Sequence, residues 1–471
     1  MFASSSSAFF SVSPKHIQER SNRWSFLRAR PSLSLRHQQQ LPIFFITAAA
    51  SSSANASSIE AAPITELDAV SAFSEIVPDT VIFDDFERFP PTAATVSSSL
   101  LLGITSLPDT KFKSAIETAL ADGQCYAKDD PKDRLGCFFN KALVNVGAEL
   151  VKEVPGRVST EVDARLAYDT HGIVRKVHEL LKLYAEVEVP QDRLLFKIPS
   201  TWQGIEASRL LESEGIQTHL TFVYRYYLYI NNFKPAGLHF HCCISGFILS
   251  LYSKHSASII RKLNSDEGTN KYLASSSVGG KVLDTISFPQ AAAAAQAGAS
   301  VIQIFVGRLR DWARNHSTDP EIEAARGRGE DPGIALVCFL CHAFIISKAY
   351  HYIHKHGYKS KLMAAAIRNK QDIFSILGVD YLIAPLKLLQ SLKESEISPD
   401  EKYSFFRRLT PAVSKAFNFS EEELVNWDQL TFASAIGPAA EELLSAGVEG
   451  YINQTRRVEE FFDKIWPPPN V

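Results

Sequence analysis

Cysteine is scarce in this chain of 471 residues, which carries six, four of them within two segments, 225–286 and 338–346. So few cysteines in a chain of this length argue against a disulfide framework. The glycine motifs G-x-x-x-x-G-K-[ST] and G-x-G-x-x-G are missing too, so the sequence gives no sign of a bound nucleotide. The hydrophobic fraction of 45% and the charged fraction of 21% are ordinary for a globular protein with a large core.

The chain also lacks an excess of positive charge and a long apolar run. Lysine and arginine number 49 against 52 acidic residues, a net charge of −3, which excludes a general basic surface for nucleic acid. An apolar stretch at 237–252 has only 16 residues and includes histidine and cysteine, so it is too short for a membrane span. We therefore expect neither nucleic acid nor a membrane among the partners.

The first 58 residues differ in composition from the rest of the chain. They carry six Lys/Arg and a single acid, Glu19, a net charge of +5 that leaves −8 for the remainder. A serine- and arginine-rich segment with few acids and no clean apolar core is typical of an organelle transit peptide. Its serine-rich opening favours the chloroplast (plastid stroma) over the mitochondrion. A disordered tail without a targeting role is the alternative.

A strand–loop–helix–strand pattern stands out at 192–224. Residues 194–198 form an apolar run typical of a buried parallel strand, 204–215 have helical spacing, and 218–224 are rich in β-branched and aromatic residues. Lys197 lies in the middle of the first strand. Burial disfavours its charged ammonium form, and a neutral amine can attack a carbonyl carbon. The alternative is a lysine that is salt-bridged or that extends to solvent from an edge strand.

Five segments, in chain order, resemble the transaldolase family. They are TVIFDD (80–85), RVSTEVDARLAYDT (157–170), KIPSTWQGI with EGIQTHLTFVY (197–224), AGASVIQIFVGRLRDW (297–312) and LMAAAIRNKQDI (362–373). The resemblance extends from about Ile64 to the carboxyl terminus. It implies an α/β fold, a single (β/α)8 TIM barrel with extra N- and C-terminal helices at 59–471, and an enzyme that transfers aldehyde or ketone units through a Schiff base on a barrel lysine.

The resemblance assigns a catalytic role to four residues. Lys197 would attack the C2 carbonyl of a ketose phosphate such as sedoheptulose 7-phosphate or fructose 6-phosphate, and Asp84 would accept the proton of the C4 hydroxyl. Glu161 and Thr221 would hold and polarise the water used in dehydration and hydrolysis. The three-carbon unit would then pass to an aldose phosphate, glyceraldehyde 3-phosphate or erythrose 4-phosphate. Because the imine is the electron sink, this chemistry needs no metal and no organic cofactor.

Substrate contacts are implied by further positions. Arg308 and Arg368 match the phosphate-binding arginines of the family, and a planar guanidinium suits the oxygens of a phosphate. Four positions depart from the usual family pattern, which has asparagine at the first two and serine at the last two. They are Thr95, His219, Gln303 and Ala366. The resemblance therefore supports imine chemistry but leaves the preferred donor and acceptor sugars open.

Two segments interrupt the resemblance. Residues 225–286 would fill a loop on the catalytic face with 62 residues, and residues 338–346 add nine residues inside a helical pattern, turning its downstream face by roughly 180°. We interpret both as unspliced or mis-assigned sequence; a functional lid is the alternative for the first. A haem-attachment pattern is matched formally by Cys338-x-x-Cys341-His342, and a zinc pattern by His239, His241, Cys242 and Cys243. We interpret these residues as part of apolar segments without a binding role, and we expect no metal.

The remaining pattern predicts eight strands with helices between them. The predicted helix 64–77 precedes the first strand, and a helical tail follows from 398. Within enzymes, a class I aldolase that releases the three-carbon unit is the alternative activity; outside enzymes, it is a barrel that the insertions disable. A monomer or a homodimer is expected. The predicted strands are 80–83, 92–103 with its loop, 157–163, 194–198, 218–224, 301–305, 361–367 and 380–384.

Overall fold

Eight parallel strands form the centre of the fold. In the computed structural model they pair in the order β1-β8-β7-β6-β5-β4-β3-β2, which makes a nearly closed barrel with β1 and β2 at the two ends of the order. The sequence-based prediction of a (β/α)8 barrel is confirmed. The strands are β1 (Glu75–Asp79), β2 (Ala94–Val96), β3 (Val158–Glu161), β4 (Leu194–Pro199), β5 (Thr218–Val223), β6 (Val301–Phe305), β7 (Lys361–Ala365) and β8 (Tyr381–Pro385).

The structure describes residues 65–80, 85–107, 112–224, 288–315, 323–324, 327–328, 339–397 and 405–465. All of them belong to one compact unit, Ala62–Val471. The predicted transit peptide 1–58, the insertion 225–286 and the predicted catalytic Asp84 therefore lie outside the described residues.

Helices separate the strands and extend the barrel at both ends. Helices of 12 to 23 residues lie between β2 and β3, between β3 and β4, between β4 and β5, and between β6 and β7. No helix in the described part of the chain has the length and apolar character of a membrane span. The helices are α1 (Glu66–Ser71), α2 (Asp85–Arg88), α3 (Ser98–Thr105), α4 (Lys113–Leu120), α5 (Gly123–Tyr126), α6 (Pro131–Glu153), α7 (Thr170–Glu186), α8 (Trp202–Ser213), α9 (Pro289–Gln296), α10 (Val306–Asn315), α11 (Phe339–Lys355), α12 (Lys370–Ser375), α13 (Leu386–Glu394), α14 (Pro411–Ser414), α15 (Gln429–Ala435) and α16 (Pro438–Ile465).

The interior of the barrel is filled by side chains from alternate positions of the strands. Leu195 of β4, Val301 of β6 and Met363 of β7 are buried together, with Tyr381 and Ile383 of β8 packed against them. This layer lies toward the amino-terminal half of the strands. The polar interior positions that follow it therefore lie at the carboxyl-terminal mouth, where barrel enzymes place their active sites.

The first strand lies earlier in the sequence than predicted. The chain leaves α1 at Ser71 and forms β1 at Glu75–Asp79, so the predicted helix 64–77 is wrong in its bounds and the first strand precedes the predicted 80–83. Residues 81–83 of that prediction lie outside the described residues. The buried residues Val70, Ser74 and Val77 have helical spacing, which concealed the strand. Pro78 has no N–H to donate, and it is tolerated because β1 is at one end of the strand order.

Strands β3 to β8 agree with their predicted bounds to within two residues, and β6 agrees at both ends. The predicted strand and loop at 92–103 are wrong in their bounds, because β2 covers only Ala94–Val96 and α3 begins at Ser98. The predicted helix 204–215 is α8, and Gly215 follows it with a φ of 78°, the left-handed conformation that favours glycine after a helix. Residues 339–355 form one helix, α11, so most of the second insertion is helical, whereas Cys338 lies outside the described residues.

The scarcity of cysteine argued against a disulfide framework, and the described residues contain one bonded pair. Cys125 of α5 and Cys137 of α6 are bonded, with their Cα atoms 5.4 Å apart. Both belong to a second apolar cluster, in which Phe138 of α6 packs with Val458 and Phe462 of α16. The pair escaped notice because neither cysteine belongs to a recognisable spacing pattern.

Candidate active site

Lys197 lies at the carboxyl end of β4, with its side chain on the interior face of the barrel. It is 6% exposed, and its direct register partners are Glu161 on β3 and His219 on β5. The residue two positions earlier, Leu195, belongs to the interior apolar layer, so alternation along the strand directs Lys197 into the same interior. The sequence-based expectation of a buried lysine in a central parallel strand is confirmed.

Glu161 shares the interior face with Lys197. Its Oε1 accepts a hydrogen bond of 2.9 Å from the hydroxyl of Ser98, the first residue of α3, while its Oε2 has no hydrogen-bond partner among the described residues. Burial raises the pKa of Glu161 to about 7, against the opposing effects of the Lys197 charge and of the Ser98 hydrogen bond. Near neutral pH this carboxyl group can therefore either give or take a proton.

His219 lies on the other side of Lys197, on β5. Its Nδ1 is 2.7 Å from the hydroxyl of Ser159, the interior residue of β3 that precedes Glu161 by two positions. Burial, and then the charge of Lys197, lower the pKa of His219 to about 3, although the Gln303 side chain raises it slightly. The imidazole is therefore neutral near pH 7 and acts as a hydrogen-bonding group rather than as a second positive charge.

Thr221 and Gln303 form a hydrogen-bonded pair between β5 and β6. The Thr221 hydroxyl donates to Gln303 Oε1 over 2.7 Å, and both side chains are buried. Thr95 of β2 is the register partner of Ser159, which places it on the same interior face at the other side of the pocket. The structure therefore brings together five of the predicted site residues around one interior, namely Lys197, Glu161, His219, Thr221 and Gln303, with Thr95 at its edge.

An aromatic residue that the sequence did not single out contacts the lysine. Tyr451, on the carboxyl-terminal helix α16, places its hydroxyl oxygen 2.6 Å from Lys197 Nζ, and its ring centroid lies 4.8 Å from the same nitrogen. Phe222 packs edge-on against the Tyr451 ring at 4.7 Å and stacks on Phe305 at 5.5 Å. These rings form an apolar wall beside the amine, and such a wall strengthens electrostatic interactions by excluding water.

The carboxylate at the end of β1 is Asp79. Glu75, Val77 and Asp79 pair with the β8 residues Tyr381, Ile383 and Pro385, and Tyr381 and Ile383 face the interior apolar layer. Side chains of register partners in a parallel sheet lie on the same side, so Asp79 also faces the interior, at the mouth of the barrel. The predicted Asp84 lies outside the described residues, so its role stays a prediction.

The two predicted phosphate-binding arginines follow neighbouring strands. Arg308 is in the first turn of α10, which begins directly after β6, and its guanidinium lies 5.0 Å from the centroid of the Phe305 ring. Arg368 follows β7 and forms an ion pair with Asp311 of α10 at 2.6 Å. Both arginine side chains are exposed at the carboxyl-terminal side of the barrel.

A glycine allows the loops that carry these arginines to approach each other. A Cβ on Gly307 would lie 2.3 Å from the Ala366 carbonyl oxygen and 2.9 Å from Cγ of Arg368, closer than atoms can be packed. Ala366 itself has a φ of 58°, an uncommon conformation for a residue with a side chain. Backbone strain of this kind concentrates at functional sites, and here it occurs two residues before Arg368.

Several residues that the structure places at the candidate site gave no signal in the sequence. Ser98 and Asp79 are ordinary polar residues in segments whose bounds were predicted incorrectly, and Tyr451 occupies one position of an amphipathic stripe. Within the described part of the chain, no group of three or more His, Cys, Asp or Glu side chains is placed to hold a metal ion.

Comparisons with known proteins agree with this geometry. The family model described as Transaldolase/Fructose-6-phosphate aldolase matches residues 76–283 and 285–461. The chain is 33% identical over 344 residues to a transaldolase of Histophilus somni (strain 2336), covering 72% of this chain and 83% of that protein. It is 29% identical over 397 residues to a transaldolase of Protochlamydia amoebophila, covering 84% and 96%, and 31% identical over 345 residues to transaldolase B of Pasteurella multocida, covering 73% and 84%.

Proposed function

The chain belongs to the transaldolase/fructose-6-phosphate aldolase family, and we propose that it is a transaldolase that moves a dihydroxyacetone unit from a ketose phosphate to an aldose phosphate. One observation carries the proposal: a lysine amine, Lys197, is buried at the carboxyl end of a barrel strand, with the Glu161 carboxyl group on the same interior face. A buried amine beside a carboxyl group that titrates near neutral pH suits the formation and hydrolysis of an imine.

The reaction begins when neutral Lys197 attacks the C2 carbonyl of the ketose phosphate. Loss of water gives a protonated imine, whose positive charge accepts the electron pair when the C3–C4 bond breaks. The three-carbon carbanion formed in this way stays attached to Lys197 until an aldose phosphate adds to it. Hydrolysis then returns the free amine, so the chain needs no other electrophile.

Proton transfer at the C4 hydroxyl requires a carboxylate at the mouth of the barrel. We assign this role to Asp79, because its register on β1 directs it into the same interior as Lys197. The family resemblance alone suggested Asp84. The two assignments differ in a way that single substitutions can separate.

Glu161 and Thr221 serve the water that leaves and returns. The free Oε2 of Glu161 faces the interior, and the Thr221 hydroxyl is held there by its hydrogen bond to Gln303. His219 and Thr95 would contact the hydroxyl groups of the sugar chain. Arg308 and Arg368, on the loops after β6 and β7, would bind the phosphate at its far end.

The test of this function is chemical trapping of the imine. The full chain would be incubated with fructose 6-phosphate and sodium borohydride, and the modified residue located by intact mass and peptide mapping. A stable adduct on Lys197 that is absent from Lys197→Ala supports the function. An adduct that forms while the three-carbon unit is released without any acceptor aldose would indicate an aldolase, and the absence of an adduct would contradict the proposal.

Two finer proposals rest on sequence alone. We propose that residues 1–58 direct the chain to the plastid, where it would act in the non-oxidative pentose phosphate pathway; import of a fluorescent fusion of 1–58 into isolated chloroplasts tests this.

We also propose that 225–286 and 338–346 derive from unspliced or mis-assigned sequence. Transcript reads that join the codons of Tyr224 and Ser287, and of Val337 and Ser347, would support the second proposal; their absence would contradict it.

A further inference from the structure

The hydroxyl of Tyr451 is hydrogen-bonded to the lysine that forms the imine. Its oxygen lies 2.6 Å from Lys197 Nζ, a short hydrogen bond, and the two residues are 254 positions apart in the sequence. None of the roles assigned above to Lys197, Asp79, Glu161 or Thr221 uses this hydroxyl. A group that contacts the reacting nitrogen can take part in each proton transfer at that atom.

The surroundings of Tyr451 hold its ring in a fixed place. Phe222 contacts the ring at 4.7 Å and has a φ of 61°, a conformation that is a clear outlier for a bulky residue. Gly447, one helical turn before Tyr451, lies so close to Phe222 that a Cβ there would be 2.9 Å from two carbons of the Phe222 ring. The absence of a side chain at Gly447 therefore lets helix α16 approach β5 closely enough for Tyr451 to reach the lysine.

Strain in the backbone at Phe222 supports a functional interpretation of this contact. Residues held in unfavourable backbone conformations cluster at active sites, where the surrounding structure maintains them. Phe222 also stacks on Phe305 of β6, so its position is determined by packing on both sides. The result is an aromatic wall with one polar atom, the Tyr451 hydroxyl, directed at the Lys197 amine.

We propose that Tyr451 is a further catalytic residue, which relays a proton between Lys197 Nζ and the C2 oxygen of the substrate. This inference deepens the proposed function and rests on it. When the amine adds to C2, the C–N bond forms and the carbonyl π electrons move to oxygen, leaving a positive nitrogen and a negative oxygen on one carbon. Direct transfer of a proton between them would pass through a strained four-membered ring.

A bridging hydroxyl removes that strain. The Tyr451 oxygen accepts a proton from nitrogen while its own O–H proton passes to the C2 oxygen, so the phenol is unchanged and the product is a neutral carbinolamine. Glu161 then protonates the departing hydroxyl, water leaves, and the nitrogen lone pair forms the C=N bond. The N–H of the resulting imine cation donates to the Tyr451 oxygen, and hydrolysis follows the same steps in reverse.

The test compares Tyr451→Phe with the wild-type full chain. The variant keeps the ring, its contact with Phe222 and its interaction with the ammonium, and it loses only the hydroxyl. Formation of the borohydride-trapped Lys197 adduct from fructose 6-phosphate would be followed by quenched flow at several sugar concentrations. We expect the maximal rate to fall about 100-fold, as loss of a general acid–base group does, with the half-saturating concentration little changed. Tyr184→Phe is the matched control, because it removes a buried phenol that bonds to Thr160 and not to the lysine.

The outcomes separate this inference from the proposed function. A slowed Tyr451→Phe adduct beside an unslowed Tyr184→Phe adduct supports the relay. If both variants slow equally, or if Tyr451→Phe forms the adduct at the wild-type rate, the relay is wrong and the transaldolase assignment stands. If the wild-type chain forms no adduct at Lys197, the relay and the proposed function both fall.

Discussion

Glu161 and Lys197 are register partners on β3 and β4, and burial raises the pKa of the Glu161 carboxyl group to about 7 although the charge of Lys197 lowers it. The two side chains leave adjacent parallel strands on the same face at directly paired positions, so the barrel holds them next to each other. The loss of solvation outweighs the attraction of the lysine, which is why the pKa of Glu161 rises to about 7 instead of falling. The same burial that suits the group to proton transfer makes it costly to ionise.

Glu161→Gln should remove a pH-dependent loss of stability. The folded-state pKa of Glu161 is about 7 and the reference value is 4.5, so between these values the folded chain holds a proton that the unfolded chain has released. Stability therefore falls as pH rises through this window. By linkage, the Glu161 carboxyl group lowers the free energy of unfolding by about 2 kcal/mol more at pH 8 than at pH 5. Urea unfolding of both proteins across this range measures the difference.

The comparison is made at each pH, so that other titrating groups cancel. We expect the free energy of unfolding of Glu161→Gln to rise relative to that of the wild type as the pH increases from 5 to 8. The variant should also form the Lys197 adduct more slowly than the wild type. Ser98→Ala, which removes the hydrogen bond to Oε1, should raise the pKa of Glu161 further and deepen the loss in the wild-type background. Parallel curves for wild type and Glu161→Gln would show that the group does not titrate in this window.

The first strand gives a direct test of which carboxylate moves the C4 proton. Asp79→Asn removes the carboxylate that faces the interior from β1, and we expect it to lower kcat by about 100-fold or more while the imine still forms on Lys197. Asp84→Asn is the paired variant and should retain most activity. The reverse pattern would restore the assignment that the family resemblance suggested. Release of glyceraldehyde 3-phosphate from fructose 6-phosphate is the measured step.

Helix α16 offers a pair of glycines that test the position of Tyr451. In Gly447→Ala the added Cβ would lie 2.9 Å from the Phe222 ring, so we expect the helix to shift, the stability to fall by about 1–3 kcal/mol and adduct formation to slow as in Tyr451→Phe. In Gly450→Ala the added Cβ meets nothing within 4 Å. That variant should be stabilised by up to about 1 kcal/mol, with unchanged adduct formation. Equal behaviour of the two variants would contradict the close approach at Gly447.

The sequence predicted the elements that carry most of the site for a physical reason. Strands β4, β6, β7 and β8 are short and largely apolar, and a lysine inside β4 is conspicuous because burial of its charge is costly. Strand β3 shows an alternating pattern, and β5 is rich in β-branched and aromatic residues. Once these strands are recognised, the alternation of side chains along β3, β5 and β6 places the polar partners of Lys197 on its side of the sheet. These positions are local properties of the sequence.

The parts that the sequence did not predict depend on distant contacts. Val70, Ser74 and Val77 are all buried with helical spacing although a strand contains the last of them, so periodicity gave the wrong bounds for β1. Tyr451 lies in a stripe with Leu444 and Thr455 that any packed helix would show. Tyr451 contacts Lys197 only in the folded chain, and no local sequence pattern predicts a contact between residues 254 positions apart.

The loop arginines should determine the preference for a phosphorylated substrate. Arg368→Lys keeps the charge but loses the planar guanidinium that can bind a phosphate through two hydrogen bonds, and it removes the Nη2 contact with Asp311. We expect kcat/KM for fructose 6-phosphate to fall about 10-fold or more, mainly through KM. Activity with unphosphorylated fructose serves as the internal control and should not change. An equal loss with both sugars would place Arg368 away from the phosphate.

His219 allows a prediction of opposite sign to that for Glu161. The pKa of His219 is about 3 in the folded chain against a reference of 6.5, so between these values only the unfolded chain takes up a proton. The stability that depends on neutral His219 is complete above pH 6.5 and is lost as pH falls toward 3. Linkage gives a loss of about 3 kcal/mol between pH 7 and pH 4.

His219→Asn should abolish that loss, because an amide does not titrate and can still bond to Ser159. Urea unfolding at pH 7 and pH 4 would show wild type losing more stability than the variant by about that amount. Because the family pattern has asparagine here, the variant should also shift the choice among donor sugars, measured as the ratio of kcat/KM for sedoheptulose 7-phosphate and fructose 6-phosphate. If the unfolding curves of the two proteins respond equally to acid, the imidazole is not held neutral by burial, and its contact with Ser159 is made in the charged state.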